Sequence, residues 1–165
     1  MKRLHLLRHA KSSWDDPDLP DYERPLAPRG ERAARKIAEN ARRQGIAPEL
    51  VLCSTALRAR QTLAAVLPVF PGEVEIRLED GLYGAGVSQV LGRVREVDES
   101  VGSVLVVGHN PTLHELAVAL TGRGDALERF PTGALATVAF RAPWAKLADG
   151  GAELQGFVVP RELDG

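Results

Sequence analysis

Two histidines follow short apolar runs that read as buried strands. Arg8-His9-Ala10 ends the run carrying Leu4, Leu6 and Leu7, and Gly108-His109-Asn110-Pro111 ends the run 104–107. Residues at the carboxyl ends of strands line the crevice in which open α/β sheets bind ligands. A neutral imidazole is a competent nucleophile near pH 7 and can carry a phosphoryl group covalently. Arg8 and Arg58 supply guanidiniums whose paired donors match phosphate oxygens. His109, preceded by Gly108 for close backbone approach, adds a donor to the same oxygens as charge develops. A helix expected from Pro111, with Asn110 as its N-cap, aims its positive end there too. Ser13, Arg24 and Asn110 are candidate substrate-binding residues, with a structural ion pair as the alternative for Arg24. The set implies phosphoryl transfer with His9, Arg8, Arg58 and His109 as the catalytic residues.

Rival chemistries fit less well. A cysteine phosphatase loop needs five residues between its cysteine and arginine; four separate Cys53 from Arg58 and six separate it from Arg60. Cys53 therefore reads as a small core residue. His5 and His9 lie on a strand-like segment, which sets them roughly 13 Å apart, too far for one zinc ion. No metal site or cofactor is expected, and no Gly-x4-Gly-Lys-Ser/Thr motif signals a P-loop enzyme. His5 is expected to pack in the sheet and His114 to lie on a helix surface. A phosphate- or phosphopeptide-binding module without turnover is the non-enzymatic alternative, and a phosphomutase the other enzymatic one.

Composition limits the partners. The 165 residues carry a net charge of −1 and 5% aromatics, which argues against a nucleic-acid surface or attraction to an anionic membrane. Any anion must be caught by a local arginine cluster, so the expected partner is a phosphorylated protein or a small phosphorylated metabolite. A single cysteine excludes an internal disulfide and suits a reducing compartment. With no h-region at the N-terminus and no long apolar stretch, a cytoplasmic protein is expected, monomeric rather than oligomeric.

The elements that must position these residues alternate. Strands are expected over 3–8, 50–53, 74–78, 103–107, 134–141 and 152–159, the third of them half-buried. Helices are expected over 31–43, about 56–67, 87–94 and from Pro111, on apolar spacings such as Ala34, Ile37, Ala38 and Ala41. Gly45 suits a left-handed helix cap. Ser54 and Thr55 offer capping hydroxyls. The stretch 14–28 has no period and reads as a long loop, and residues 11–24 are expected to rim the pocket and contribute to selection of the leaving group. One domain over 1–165 follows, of α/β class with a mostly parallel sheet covered by helices.

The chain resembles the histidine phosphatase superfamily, the phosphoglycerate-mutase-like group. The resemblance rests on Leu6-Leu7-Arg8-His9, Arg24-Pro25-Leu26, the run from Ser54 to Thr62, and Val107-Gly108-His109-Asn110-Pro111, in that order, with Phe130-Pro131-Thr132-Gly133 also fitting. Ala10, the Lys11-Ser12-Ser13-Trp14 that follows and the small size are similar to the SixA-like branch. The resemblance implies a three-layer α/β/α sandwich, a phosphorylated His9, a pocket of Arg8, Arg58 and His109, and metal-independent phosphatase activity, in some members on phosphohistidine. It also exposes a gap. Larger members place a glutamate after the third strand as proton donor; here Gly84 stands at that point. Glu79, Asp80 and Asp16 are the candidate substitutes. Without an acid, alkyl phosphates are poor substrates, and a phosphoramidate, acyl or aryl phosphate is favoured.

Overall fold

The computed structural model describes residues 1–163; Asp164 and Gly165, the end of the expected domain, lie outside the described residues. In chain order the main elements are β1 (Lys2–Arg8), α1 (Pro28–Gln44), β2 (Leu50–Ser54), α2 (Leu57–Val66), β3 (Glu75–Glu79), α3 (Val87–Arg95), β4 (Ser103–Gly108), α4 (Thr112–Thr121), β5 (Leu135–Phe140) and β6 (Glu153–Val158). The six strands form one sheet in the order β3-β2-β4-β1-β5-β6. The pairs β3/β2, β2/β4 and β4/β1 are parallel, and β5 runs against both β1 and β6. The expected mostly parallel α/β architecture is the one observed.

Strand alternation builds the two layers. Leu4, Leu6, Leu52, Val104, Val106 and Val138 pack with Val90, Val94, Leu113 and Leu116 of α3 and α4. Leu7, Val51, Leu105, Val107 and Leu135 pack with Ile37 of α1 and Ala59, Leu63 and Val66 of α2. Burial on both faces is why the central strands read as continuous apolar runs.

Several boundaries differ from expectation. The first helix begins three residues early, at Pro28, whose missing N–H is harmless in a first turn. Helix α4 begins at Thr112, with Pro111 in the cap position, so Asn110 lies one residue outside its expected cap. Its Oδ1 still accepts from the His114 amide at 3.3 Å. Strand β3 is not half-buried: Ile76 and Leu78 are 40% and 52% exposed. It sits at the sheet edge, paired on one side with β2, and its residues are mostly exposed. Ala56, rather than Ser54 or Thr55, occupies the cap of α2. Gly45 does take the left-handed conformation after α1. His114 is no surface residue; its half-buried ring stacks on Phe130 and Nε2 donates to the Leu127 carbonyl.

Candidate active site

Register explains how residues a hundred positions apart meet. Arg8 pairs with Gly108 across the β1/β4 ladder, so His9 and His109 leave neighbouring strands at the same level. The His9 amide then donates to the Gly108 carbonyl at 3.0 Å. The two imidazole centroids stand 5.2 Å apart. On the far side of β4, Cys53 pairs with Val107, which brings Ser54 level with them. Its hydroxyl lies 2.8 Å from His109 Nε2 and also accepts from the Ala56 amide. Ser54 is fully buried, so this contact fixes the orientation of the His109 ring.

The tautomer of His9 follows from its neighbour. Nδ1 lies 2.7 Å from the Ala10 carbonyl, which can only accept, so Nδ1 carries the proton and Nε2 keeps its lone pair. That lone pair faces Arg58 Nε at 3.4 Å. Burial, with the charges of His109, Arg58 and Arg8, pushes the His9 pKa down to about 3, and burial with Arg58 brings His109 down to about 4. Both rings are therefore neutral at physiological pH.

Arg8 donates from NH1 to the Phe130 carbonyl at 3.0 Å, and its buried Nε has no protein partner. Asn110 Nδ2 donates to the same carbonyl at 2.7 Å. Arg58, the second residue of α2, donates from NH1 to the Asp21 carbonyl and from NH2 to Asp21 Oδ2, at 2.7 and 2.8 Å. The rest of that helix motif is fastening. Thr62 Oγ1 accepts from the Ala10 amide, and Gln61 Oε1 accepts from the Leu26 amide, which ties α2 to the exit of β1 and to the Arg24-Pro25-Leu26 segment.

These groups open onto a cavity of about 600 Å³ lined by Arg8, His9, Lys11, Ser12, Trp14, Asp21, Arg24, Arg58, Tyr83, Gly84, His109, Asn110 and Thr132. The expected catalytic set and two of the three expected substrate-binding residues, Arg24 and Asn110, thus come together. Ser13 does not line the cavity. Its hydroxyl accepts from the Asp15 amide and its carbonyl from Arg24, and Ser12 takes the lining position. Arg24 is a structural partner as well as a rim residue: it binds Asp21 through Nε and NH2, and Ser12 Oγ through NH1.

None of the three carboxylates considered from sequence lines the cavity. Glu79 pairs with Arg93, Asp80 accepts from Thr55, and Asp16 caps a turn at Asp18. Gly84 lines it at φ 74°, a conformation that L side chains rarely adopt, so an acid there would be strained. The carboxylate that lines it is Asp21, which sequence reading missed. Tyr83 donates to its Oδ2 at 2.7 Å, and this contact with Arg58 and Arg24 holds Asp21 well below the usual carboxylate range. It stays ionised and binds cations rather than donating a proton. No signal separates Asp21 from Asp15, Asp16 and Asp18 in the same loop, apart from its spacing of three to Arg24. Nor does the protein itself need glycine at position 108, where a Cβ would meet Leu113 at an ordinary 3.6 Å.

A mostly parallel sheet with two histidines at its strand ends and arginines beside them defines a class of phosphate-handling enzyme, and sequence comparison agrees. The chain belongs to the histidine phosphatase superfamily (branch 1), whose sequence model matches residues 4–101, and it is a phosphatase of the SixA-like type. An uncharacterized protein of Mycobacterium tuberculosis is 41% identical, over 94% of this chain and all of that one. A candidate phosphohistidine phosphatase SixA from Nakamurella multipartitia is 37% identical with a TM-score of 0.87, covering 96% of each chain. The protein histidine phosphatase SixA solved with tungstate is 27% identical with a TM-score of 0.82, covering 98% of this chain and 99% of that one. Among the described residues no helix is long and apolar enough to cross a membrane.

Proposed function

We propose that the protein hydrolyses phosphohistidine through a covalent phosphohistidine on His9. His9 Nε2 attacks phosphorus, the bond from phosphorus to the substrate nitrogen breaks, and that nitrogen takes the electron pair. A phosphorylated imidazole that has picked up a solvent proton on its distal nitrogen leaves as neutral imidazole. Water then attacks the phosphoenzyme, releasing phosphate and returning the lone pair to Nε2. Arg8, Arg58 and His109 stabilise the charge on the equatorial oxygens. Asn110 and Arg24 act from the rim.

The observation that carries this reading is the His9 ring: its Nδ1–H is fixed on the Ala10 carbonyl, which leaves the lone pair of Nε2 unprotonated beside Arg58 and His109. A binding module has no use for a neutral nucleophile so held. The choice of a phosphoramidate over an alkyl ester rests on the leaving group. Among the described residues the one lining carboxylate, Asp21, is tied up by Arg58, Arg24 and Tyr83, so an alkoxide would leave without help. The protein histidine phosphatase SixA and two candidate phosphohistidine phosphatases of similar sequence support the same reading.

The test is hydrolysis of an aryl phosphate and of phosphoimidazole in the presence of chelator, with wild type, His9→Ala and Cys53→Ser. Wild type and Cys53→Ser are expected to be active and His9→Ala to fall to background. Cys53 is fully buried, and burial pushes its thiol up to about 12, so it is inert. Activity retained in His9→Ala would overturn the mechanism. Turnover of an alkyl phosphate metabolite in preference to phosphoimidazole would overturn the substrate.

A further inference from the structure

Trp14 is the most exposed of the large apolar side chains, at 72%, and it lines the same cavity as His9. A single exposed apolar residue is ordinary. This one is held. The guanidinium carbon of Arg24 stands 3.5 Å from the centroid of its ring, which covers one face. Arg24 is itself only 6% exposed and is fixed by Asp21, Ser12 and the Ser13 carbonyl. Asp21 in turn grips Arg58, whose Nε faces His9 Nε2. Arg58, Asp21, Arg24 and Trp14 thus form one continuous rack. It sets a flat aromatic surface at a fixed place relative to the nucleophile, with the second face of the indole open. Neither nucleophilic attack nor phosphate binding uses that surface.

We infer that Trp14 forms a leaving-group subsite that takes a planar ring, and so makes the enzyme selective for phosphoryl groups carried on imidazole or aryl groups over those on carriers without a ring. In the substrate class proposed above, on which the imidazole part of this inference rests, the histidine ring departing from phosphorus stacks on the open indole face. An aromatic surface recognises a ring by its π face whatever its substituents, so an aryl leaving group is accepted as well. A stacking wall also favours a ring standing clear of its own protein surface, which suits a histidine on another protein.

The experiment compares kcat/KM for phosphoimidazole, 4-nitrophenyl phosphate and acetyl phosphate in wild type, Trp14→Ala and Trp14→Phe. None of the three leaving groups needs a proton from an enzyme acid, since phosphoimidazole takes its own from solvent, but acetyl phosphate has no ring. Trp14→Ala is expected to lower kcat/KM about tenfold for both ring substrates, chiefly through KM, and to leave acetyl phosphate within about twofold. Trp14→Phe should restore most of the loss. An equal fall on all three substrates, or no fall on the ring substrates, would overturn the subsite. The high exposure of Trp14 makes misfolding of the alanine variant a minor concern, and an unchanged melting temperature checks it. A wild type that turns over the aryl and acyl phosphates but not phosphoimidazole would overturn the substrate reading alone, and the aryl-to-acyl ratio would still decide the role of Trp14.

Discussion

His9 is poised by burial and by one hydrogen bond: burial lowers its pKa and outweighs the opposing pull of the bond to Ala10, which fixes the tautomer. The Ala10 carbonyl keeps the proton on Nδ1, while desolvation and the surrounding cations bring the ring pKa down to about 3. A free imidazole would lose its lone pair to a proton below about pH 6.5. This one stays neutral to far lower pH, and so does His109, brought down to about 4. The kcat/KM profile, which reports the free enzyme, is therefore expected to be flat from pH 8 to about pH 5 once the ionisation of the substrate is corrected for. An acid limb with its midpoint near 6.5 would show that the ring titrates as an ordinary histidine. At this scale the residues whose chemistry is unusual were legible: His9, Arg8, Arg58 and His109 stood out because few structural roles demand that combination at strand ends. Asp21 and Tyr83 were not legible. A carboxylate among five in one loop, and a tyrosine that reaches it from 62 residues away, gain their meaning only from contact.

At the scale of elements, the loop leaving β1 is shaped by what packs beneath it. Lys11 accepts at its carbonyl from the Ala27 amide, Ser12 bridges to Leu26, and the Ser13 amide donates to the Pro25 carbonyl. The first turn of α1 lies directly against this strip. A Cβ on Gly30 would come within 2.1 Å of the Lys11 carbonyl oxygen, which is backbone and cannot swing aside. Gly30→Ala must therefore displace Lys11–Ser13 or the start of α1. Overpacking of this kind costs about 1–3 kcal/mol. The expected outcome is a lower melting temperature together with a kcat/KM loss, since Lys11, Ser12 and Trp14 all line the cavity. A variant as stable and active as wild type would show that the strip is not held where the structure places it. Periodicity located α1, α3 and the central strands well, because their apolar faces are buried. It misjudged β3, whose alternating Val74, Ile76 and Leu78 promised a buried face that the edge position does not supply. Strand order decides that, and a local pattern carries no information on strand order.

For the whole molecule, the consequence of building a site from neutral buried histidines is sensitivity to acid. His5, away from the site, adds to it: it is 2% exposed, hydrogen-bonded to Thr137 Oγ1 at 2.8 Å, and brought down to about 4 by burial and Arg3. In the unfolded chain all three histidines bind protons below about pH 6.5; in the folded protein they do so only near pH 4 or lower. Between those limits the unfolded state holds more protons, so stability falls as pH falls. Their contribution is complete above about pH 6.5 and is lost progressively towards pH 4. Each fully buried histidine costs about 1.4 kcal/mol per pH unit in that window, and half-buried His109 less. Asp21 does not offset this, because a carboxylate with a depressed pKa loses its contribution only below the ordinary carboxylate range. Denaturant unfolding at pH 7.5 and pH 5.0 is therefore expected to give a clearly lower stability at pH 5.0. His5→Asn should reduce that difference by more than a third, since of the three groups sharing it His109 contributes least, without touching the residues around His9. A midpoint that does not move between the two pH values would mean that water reaches these rings in the folded state. The low pKa of His9, and with it the flat activity profile, would then fall together with the acid lability.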